Sequence, residues 1–376
     1  MSLTALQKNA EGLGKTGPQY RTGEYHGATT AARFSDPQQE WAAMGSGCGV
    51  YDLGFRAKLS LTGRDRVRWL NGMITNNIRD LAAGQGVYAF FLTPQGHILG
   101  DLYAYNRGES IVLDTDHSQL EKVLATFRRY IIMDQVEMTD WNEQVTTLGV
   151  AGPKARSVLR TAGIEIPEAR PLQMVEAKCD CDCDCVKCTV VRGDDAACES
   201  YELWLAPNDV RKTWDALVAA GATPVGHEAL ELRRIVNGIP VYGIDIREKD
   251  LPQETEQMRA LNFSKGCYIG QEIVERIRSR GAVHRKLAGF LAEGIGKIAV
   301  GIKIVAGEKE AGEITSVASL HLDAGTRTVA LGYIRREAGA PGNEVLAGDV
   351  AATVVQLPVD PAILAQSGRI LEHHRA

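Results

Sequence analysis

The chain has 376 residues, 44% hydrophobic and 24% charged, with a formal net charge of −5. That length suits two or three domains with sizeable cores, and the acid excess excludes an extensive nucleic-acid surface, though a local basic patch fits. No apolar run approaches the roughly 20 residues that a membrane-spanning helix needs, which points away from a membrane partner.

The polar, glycine-rich start MSLTALQKNAEGLGKTGPQYRTGEYHGATT has no signal-peptide apolar region. Residues 1–35 therefore read as a flexible arm, and a cytoplasmic location follows, with cysteines kept reduced. KLSLTG (58–63) alternates like a half-buried strand. After Gly63 the apolar residues Val67, Leu70 and Ile74 recur at helical spacing. VYAFFLT (87–93) and HILGDLYAY (97–105) read as strands joined by the turn Pro94-Gln95-Gly96, and SIVLD (110–114) as another. Ser118 with Glu121 three residues on has the form of a capping box, opening a helix whose apolar face is Leu120, Val123, Leu124 and Phe127.

A second unit repeats this plan. TLGVAGPKARSVL (147–159) resembles KLSLTGRDRVRWL (58–70), with Gly152 answering Gly63. Strands at 188–192 and 201–205 lead into a helix bearing Val210, Trp214 and Leu217, stopped at Gly221. The pattern implies a duplicated unit, at about 57–134 and 145–221, inside a body spanning 36–284. From residue 285 to 376 short strands and glycines alternate (KLAGFLAE, KIAVGIKIV, GEITSVAS, TVALGYIRRE, DVAATVVQL), the texture of an appended antiparallel β-barrel with a short tail.

Five of the eight cysteines lie in CDCDCDCVKC, Cys179 to Cys188. Structural zinc sites use paired C-x-x-C knuckles, and only Cys185 to Cys188 has that spacing. In an extended strand the alternating cysteines would line one face, which suits a closed four-coordinate site poorly. The run reads as an expanded loop, and no metal ligands are assigned.

LNFSKGCYIGQEIVERIRSRG (261–281) carries more. Ile273, Val274 and Ile277 have helical spacing and Gly281 is a natural stop. Cys267 falls just before the helix N-terminus, two residues after Lys265; both features stabilise a thiolate. Gly266 and Gly270 leave room for close approach, and Gln271 with Glu272 stands beside exposed N–H donors. The basic cluster Arg276, Arg278, Arg280, His284, Arg285 and Lys286 reads either as a receptor for an anion or as a solvated face.

KGCYIGQE (265–272) resembles the signature of the YgfZ family, folate-binding relatives of the glycine cleavage T-protein, an aminomethyltransferase. Residues 49–78, 94–105 and 232–246 and the barrel strands resemble blocks shared across that GcvT superfamily. The resemblance implies an α+β fold, with two ferredoxin-like halves and a C-terminal antiparallel barrel around a central folate channel. It implies tetrahydrofolate, or a one-carbon derivative, as cofactor. Asp101 matches the aspartate that lies against the folate nitrogen receiving the one-carbon unit, and could shuttle a proton there. Cys267 and Asp101 are then the catalytic candidates. Tyr88, Asp101, Glu199, Arg234, Lys265, Tyr268 and Gln271 are the folate-binding set, with Tyr88 placed to stack on the ring.

Two departures stand out. Cys198 occupies the position of a T-protein glutamate, with Glu199 next to it, and Val236 replaces an acidic residue while Arg234 is retained. No G-x-x-x-x-G-K-[ST] loop occurs, so a nucleotide-hydrolysing role has no support. The first expectation is a part in iron–sulfur cluster assembly or repair, with iron–sulfur client or assembly proteins as partners. The alternative is a T-protein-like transfer of a one-carbon unit to tetrahydrofolate. A third is a metal-binding interaction protein built on the cysteine run.

Overall fold

The structure is a computed structural model that describes residues 2–9, 20–179, 186–195, 198–281, 283–294, 296 and 298–365. The chain forms two compact units: Met1–Leu230 with Arg259–Gln271, and Glu231–Met258 with Glu272–Ala376.

The first unit is built on two sheets of like order. One runs Gly86–Leu92, Ile98–Asn106, Ile111–Asp116, Arg56–Thr62, Glu137–Asp140, antiparallel throughout. Period-two alternation divides its residues between two faces. Ala57, Leu59, Leu61, Leu102, Ala104 and Leu113 join a core with Leu70 of the helix Arg66–Met73 and Val123 and Phe127 of the helix Leu120–Arg129. The residues between them, among them Arg56, Lys58, Asp101, Tyr103, Asp114 and Asp116, take the opposite face.

The other sheet runs Met174–Cys179, Val186–Arg192, Ser200–Leu205, Thr146–Ala151, Gly49–Asp52, Thr223–Val225, with only the last pairing parallel. Leu148, Val150, Val190 and Leu203 pack on Leu159 of the helix Ala155–Thr161 and on Val210, Trp214 and Leu217 of the helix Val210–Ala219. The two glycines that answer each other in sequence do the same work here. Gly63 and Gly152 have φ of 95° and 130°. A Cβ at Gly63 would sit 2.1 Å from the Gln135 carbonyl oxygen, and one at Gly152 would sit 2.4 Å from that of Gly47.

Where the sequence suggests a flexible arm, the described N-terminal residues are paired. Ser2–Leu3, Arg21–Tyr25 and Ala28–Arg33 form a three-stranded sheet, and Leu6, Ala28, Ala31 and Ala32 are buried. Small apolar residues among the glycines and hydroxyls supply that burial. In the cysteine run, Met174–Cys179 and Val186–Arg192 are the paired arms of a hairpin, and Cys188 is buried. Residues 180–185 lie outside the described residues. Among the described residues, no group of three or more His, Cys, Asp or Glu side chains could hold a metal ion.

Arg259–Gln271 returns to the first unit and is tied there by Lys265. Its buried Nζ donates to the carbonyls of Asn71 (2.6 Å), Ile74 (2.6 Å) and Asn76 (2.8 Å), closing the C-terminal end of the helix Arg66–Met73. Asn262 N and Ile269 N donate to Thr75 and Gly72 carbonyls nearby.

The second unit holds the expected barrel. It is closed and antiparallel, in the order Arg285–Glu293, Gly325–Arg335, Lys309–Leu322, Lys303–Ala306, Glu344–Ala347, Val350–Val355. Phe290, Ile304, Ile314, Ile334 and Val354 fill it. Within KIAVGIKIV the paired strand is Lys303–Ala306, beginning after Gly301 at φ 85°. Among the described residues no helix is long and apolar enough to cross a membrane.

Two stability measurements check these anchors. Gly152→Ala should lose about 2–4 kcal/mol in denaturant unfolding, from strained φ and a backbone clash. Gly72→Ala, in open space on the helix Arg66–Met73, should lose nothing and gain up to about 0.5–1 kcal/mol. Lys265→Met leaves three carbonyls at a helix end without their donor and should cost about 2–4 kcal/mol. Equal effects at Gly72 and Gly152, or a neutral Lys265→Met, would contradict the assigned roles.

Candidate active site

The polar face of the first sheet gathers its charged and aromatic residues in cross-strand rows. Tyr88, Tyr103, Asp114 and Lys58 are successive partners across four strands. Two residues along, Asp101 pairs with Phe90 on one side, and Asp116 pairs with Arg56. Directly paired residues share a face, so the register alone brings these groups together.

Asp101 sits half-buried at the centre. Tyr88 Oη donates to its Oδ2 at 2.6 Å, and Gln119 Nε2 donates to its Oδ1 at 2.8 Å. Gln119 also accepts from the Asp101 backbone N–H (3.1 Å), and Thr115 Oγ1 donates to the Asp101 carbonyl (2.9 Å). Burial first, and then the charge of Asp116, raises the Asp101 carboxyl above its ordinary 3.8, against the pull of its two donors. Burial and Asp101 together push the Tyr88 phenol well up.

The anticipated capping box of Ser118 and Glu121 is absent. The helix begins at Leu120 after a single 3-10 turn, His117–Gln119, and neither start has a side-chain cap. Gln119, at the helix start, gives its amide to Asp101.

Arg259 roofs this group. Its guanidinium carbon lies 4.4 Å from the Tyr88 ring centroid and 6.0 Å from that of Tyr103, within cation–π range, and the side chain forms an ion pair with Asp194. Asn76 Nδ2 fixes the arrangement by donating to the carbonyls of both Tyr88 and Arg259 at 2.8 Å.

Beside Asp101 runs a belt of opposed charges. Arg56 bridges Asp114 (Nε to Oδ1, 2.9 Å) and Asp116 (Nη1 to Oδ1, 2.6 Å), and Lys58 Nζ stands 3.0 Å from Asp114 Oδ2. His26 Nδ1 meets Asp116 Oδ2 at 3.1 Å. Burial opposes ionisation of Asp116, but His26 and Arg56 overcome it and hold this carboxyl well below the usual range. From the facing sheet, burial and the Asp114 charge push Glu202 up, while Trp204 Nε1 donates to it at 3.0 Å.

The other residues singled out in the sequence lie as follows. Lys265 serves the helix end; its Nζ also stands 4.9 Å from the Tyr268 ring centroid, and burial, with Arg79 nearby, lowers its pKa to about 7. The ammonium expected to stabilise a Cys267 thiolate is therefore held by carbonyls. Cys267 is exposed. Tyr268 is buried, and its N–H donates to Gln271 Oε1 at 3.3 Å. Gly270, at φ 83°, packs against the Thr93 carbonyl, where a Cβ would come within 2.6 Å; around Gly266 the space is open. Glu199 is held by Arg192 (2.7 Å), Arg156 and Tyr201. Arg234 belongs to the second unit, buried among Asp245 (2.8 Å), Glu231 (2.7 Å) and Ser316 (3.0 Å).

Tyr88 and Asp101 are thus joined directly. Tyr103, Gln119, Arg259, Arg56, Asp116 and His26 complete their surroundings without having been singled out. The paired spacings Arg56/Lys58 and Asp114/Asp116 in adjacent strands were the available signal.

The family model of the GCVT N-terminal domain matches residues 5–265. An aminomethyltransferase of Rubrobacter xylanophilus is 29% identical over 340 residues, 89% of each chain. One of Thermus thermophilus is 26% identical over 341 residues, 90% of this chain and 94% of that one. The fold also matches the crystal structure of glycine cleavage system aminomethyltransferase T from Bartonella henselae, with a TM-score of 0.82 at 20% identity, covering 95% of this chain and 97% of that chain. These relatives overturn the expected role in iron–sulfur cluster assembly or repair, since both curated relatives, matched along about nine-tenths of the chain, are named aminomethyltransferases. That expectation rested on the octapeptide 265–272, whose Lys265 and Gly270 serve helix closure and backbone packing here. With two like-ordered sheets, a closed barrel and a family match over most of its length, the chain belongs to the GcvT superfamily.

Proposed function

We propose that this chain is a folate-dependent one-carbon transferase of the aminomethyltransferase class, with Asp101 as its acid–base group. The observation that carries this reading is the Tyr88–Asp101–Gln119 arrangement: a carboxyl of raised proton affinity, fixed by a donor on each oxygen, on a face walled by aromatic rings.

The residues present fit tetrahydrofolate. Tyr88 and Tyr103 offer aromatic surface to a planar ring. Each carboxyl oxygen of Asp101 keeps a further lone pair beyond the one used by Tyr88 or Gln119. Tetrahydrofolate supplies the amine nitrogen to which a one-carbon unit is joined. As the one-carbon unit is joined there, its bond to the donor breaks and the donor group leaves with that electron pair. The proton that the nitrogen sheds passes to Asp101 and from it to the departing group. The raised pKa of Asp101 makes it a stronger base than an ordinary aspartate. Tyr88 and Gln119 hold the carboxyl in one orientation, which preserves its alignment through the transfer. The resemblance to the YgfZ branch remains a feature of the octapeptide, and this reading assigns the proton transfer to Asp101 and gives no step to Cys267, which is exposed.

Calorimetric titration with tetrahydrofolate, followed by an assay of aminomethyl transfer to it, tests the reading. Asp101→Asn should cut transfer by about 10²–10⁴-fold while leaving affinity within about tenfold, and Cys267→Ala should change neither. Because the base must be ionised, transfer in the native protein should fall as pH drops through the raised Asp101 value. A native protein that does not bind tetrahydrofolate, or an Asp101→Asn variant that transfers normally, overturns the assignment.

A further inference from the structure

The hairpin between Arg21–Tyr25 and Ala28–Arg33 turns on two residues, His26 and Gly27, since Tyr25 pairs directly with Ala28. Both have positive φ, 49° and 90°, as a type I′ turn requires. Glycine and asparagine suit these positions best, and histidine is among the few other residues that tolerate a left-handed φ. The turn packs onto the strand end that carries Asp116. A Cβ on Gly27 would lie 2.7 Å from Ser118 N, and Ser118 N donates to the His26 carbonyl at 2.9 Å. The imidazole lies against Phe55 (centroids 5.3 Å apart, 30° between planes) and edge-on to Tyr25 at 4.0 Å. Tyr25 in turn stacks on His227 at 4.7 Å. Backbone and rings together aim Nδ1 at Asp116 Oδ2, 3.1 Å away.

We infer that His26 is a positioning residue for Asp101: it neutralises Asp116, the neighbouring carboxylate, and thereby governs how much negative charge Asp101 meets.

The charges around the pair leave this task to His26. Asp116 has one oxygen on Arg56 and the other on His26. Arg56 is shared with Asp114, which also takes Lys58, and Glu202 faces the same belt. Arg259 is paired with Asp194 above the rings of Tyr88 and Tyr103. On the far side of the turn, His117 meets Ser2 Oγ at 3.4 Å. Arginine stays charged across the working pH range, whereas an imidazole can change its charge near neutrality. Asp101 and Asp116 lie two residues beyond the paired Tyr103 and Asp114 on adjacent strands, on the same face, and Thr115 Oγ1 donates to the Asp101 carbonyl at 2.9 Å, so the strand ends bring the two carboxyls into each other's field. Burial and the Asp116 charge both raise the Asp101 carboxyl.

This inference deepens the transferase reading but is tested without it. In folate-free protein, the ¹³C resonance of the Asp101 carboxyl is titrated in native protein, His26→Asn and Asp116→Asn. Asparagine suits the type I′ turn and replaces the Nδ1–H donor with an uncharged one, so the turn survives. His26→Asn should raise the Asp101 midpoint by about 0.5–1 pH unit, and Asp116→Asn should lower it by a similar amount. The acid limb of transfer activity should move with each midpoint. An Asp101 midpoint unmoved in His26→Asn, whatever Asp116→Asn does, or an acid limb that does not follow the midpoint, overturns the inference. Shifted midpoints in a protein that binds no tetrahydrofolate would sustain His26's role and sink the transferase reading alone.

Discussion

A carboxyl group inside a sheet face is tolerated only when its oxygens find donors, because an unmet buried charge is among the costliest groups a fold can carry. Asp101 meets that condition through Tyr88, one strand away, and Gln119, at the start of the following helix. Each hydrogen bond to such a charged group is worth about 1.5–3 kcal/mol, so the carboxyl and its two partners stabilise one another. Much else follows from this constraint. The strand register must set Tyr88 beside Tyr103, the helix must begin at Leu120 so that Gln119 can reach back, and the cations of the belt must offset Asp114 and Asp116.

The belt also accounts for the opposite fates of two carboxyls on neighbouring strands. Asp116 has Arg56 on one oxygen and the His26 imidazole on the other, and its carboxyl is held low; Asp101 has neutral donors and a charged neighbour, and its proton affinity rises. Pairs of groups whose surroundings push them apart in this way are the usual mark of divided acid–base roles. Here the separation comes from a few residues on one sheet face and one turn of the N-terminal hairpin.

Much of this was legible in the sequence. RAKLSLT and GDLYAY alternate plainly enough to assign strands and faces, and the answering Gly63 and Gly152 mark the repeated turn. The barrel was equally visible in its short strands and glycines. What was not legible depends on register. Arg56 and Lys58 oppose Asp114 and Asp116 only once strands some 60 residues apart are aligned. Gln119 was hidden behind Ser118 and Glu121, whose spacing satisfies a local capping rule that the helix start does not use. His26 lay in a segment whose glycines suggested flexibility, where one of them is the turn that aims the ring. The loudest feature, the cysteine run, falls largely at 180–185, outside the described residues, and the proposed chemistry does not use it.

The central claim, that Asp101 is the proton acceptor of a folate-dependent transfer, is tested most directly by the proton balance of binding. Tetrahydrofolate is titrated calorimetrically in buffers of different ionisation enthalpy, at pH values on either side of the Asp101 midpoint, in native protein and Asp101→Asn. The account predicts a proton exchange on binding that changes across the midpoint in native protein and disappears in the variant. The same proton exchange in both proteins would contradict it.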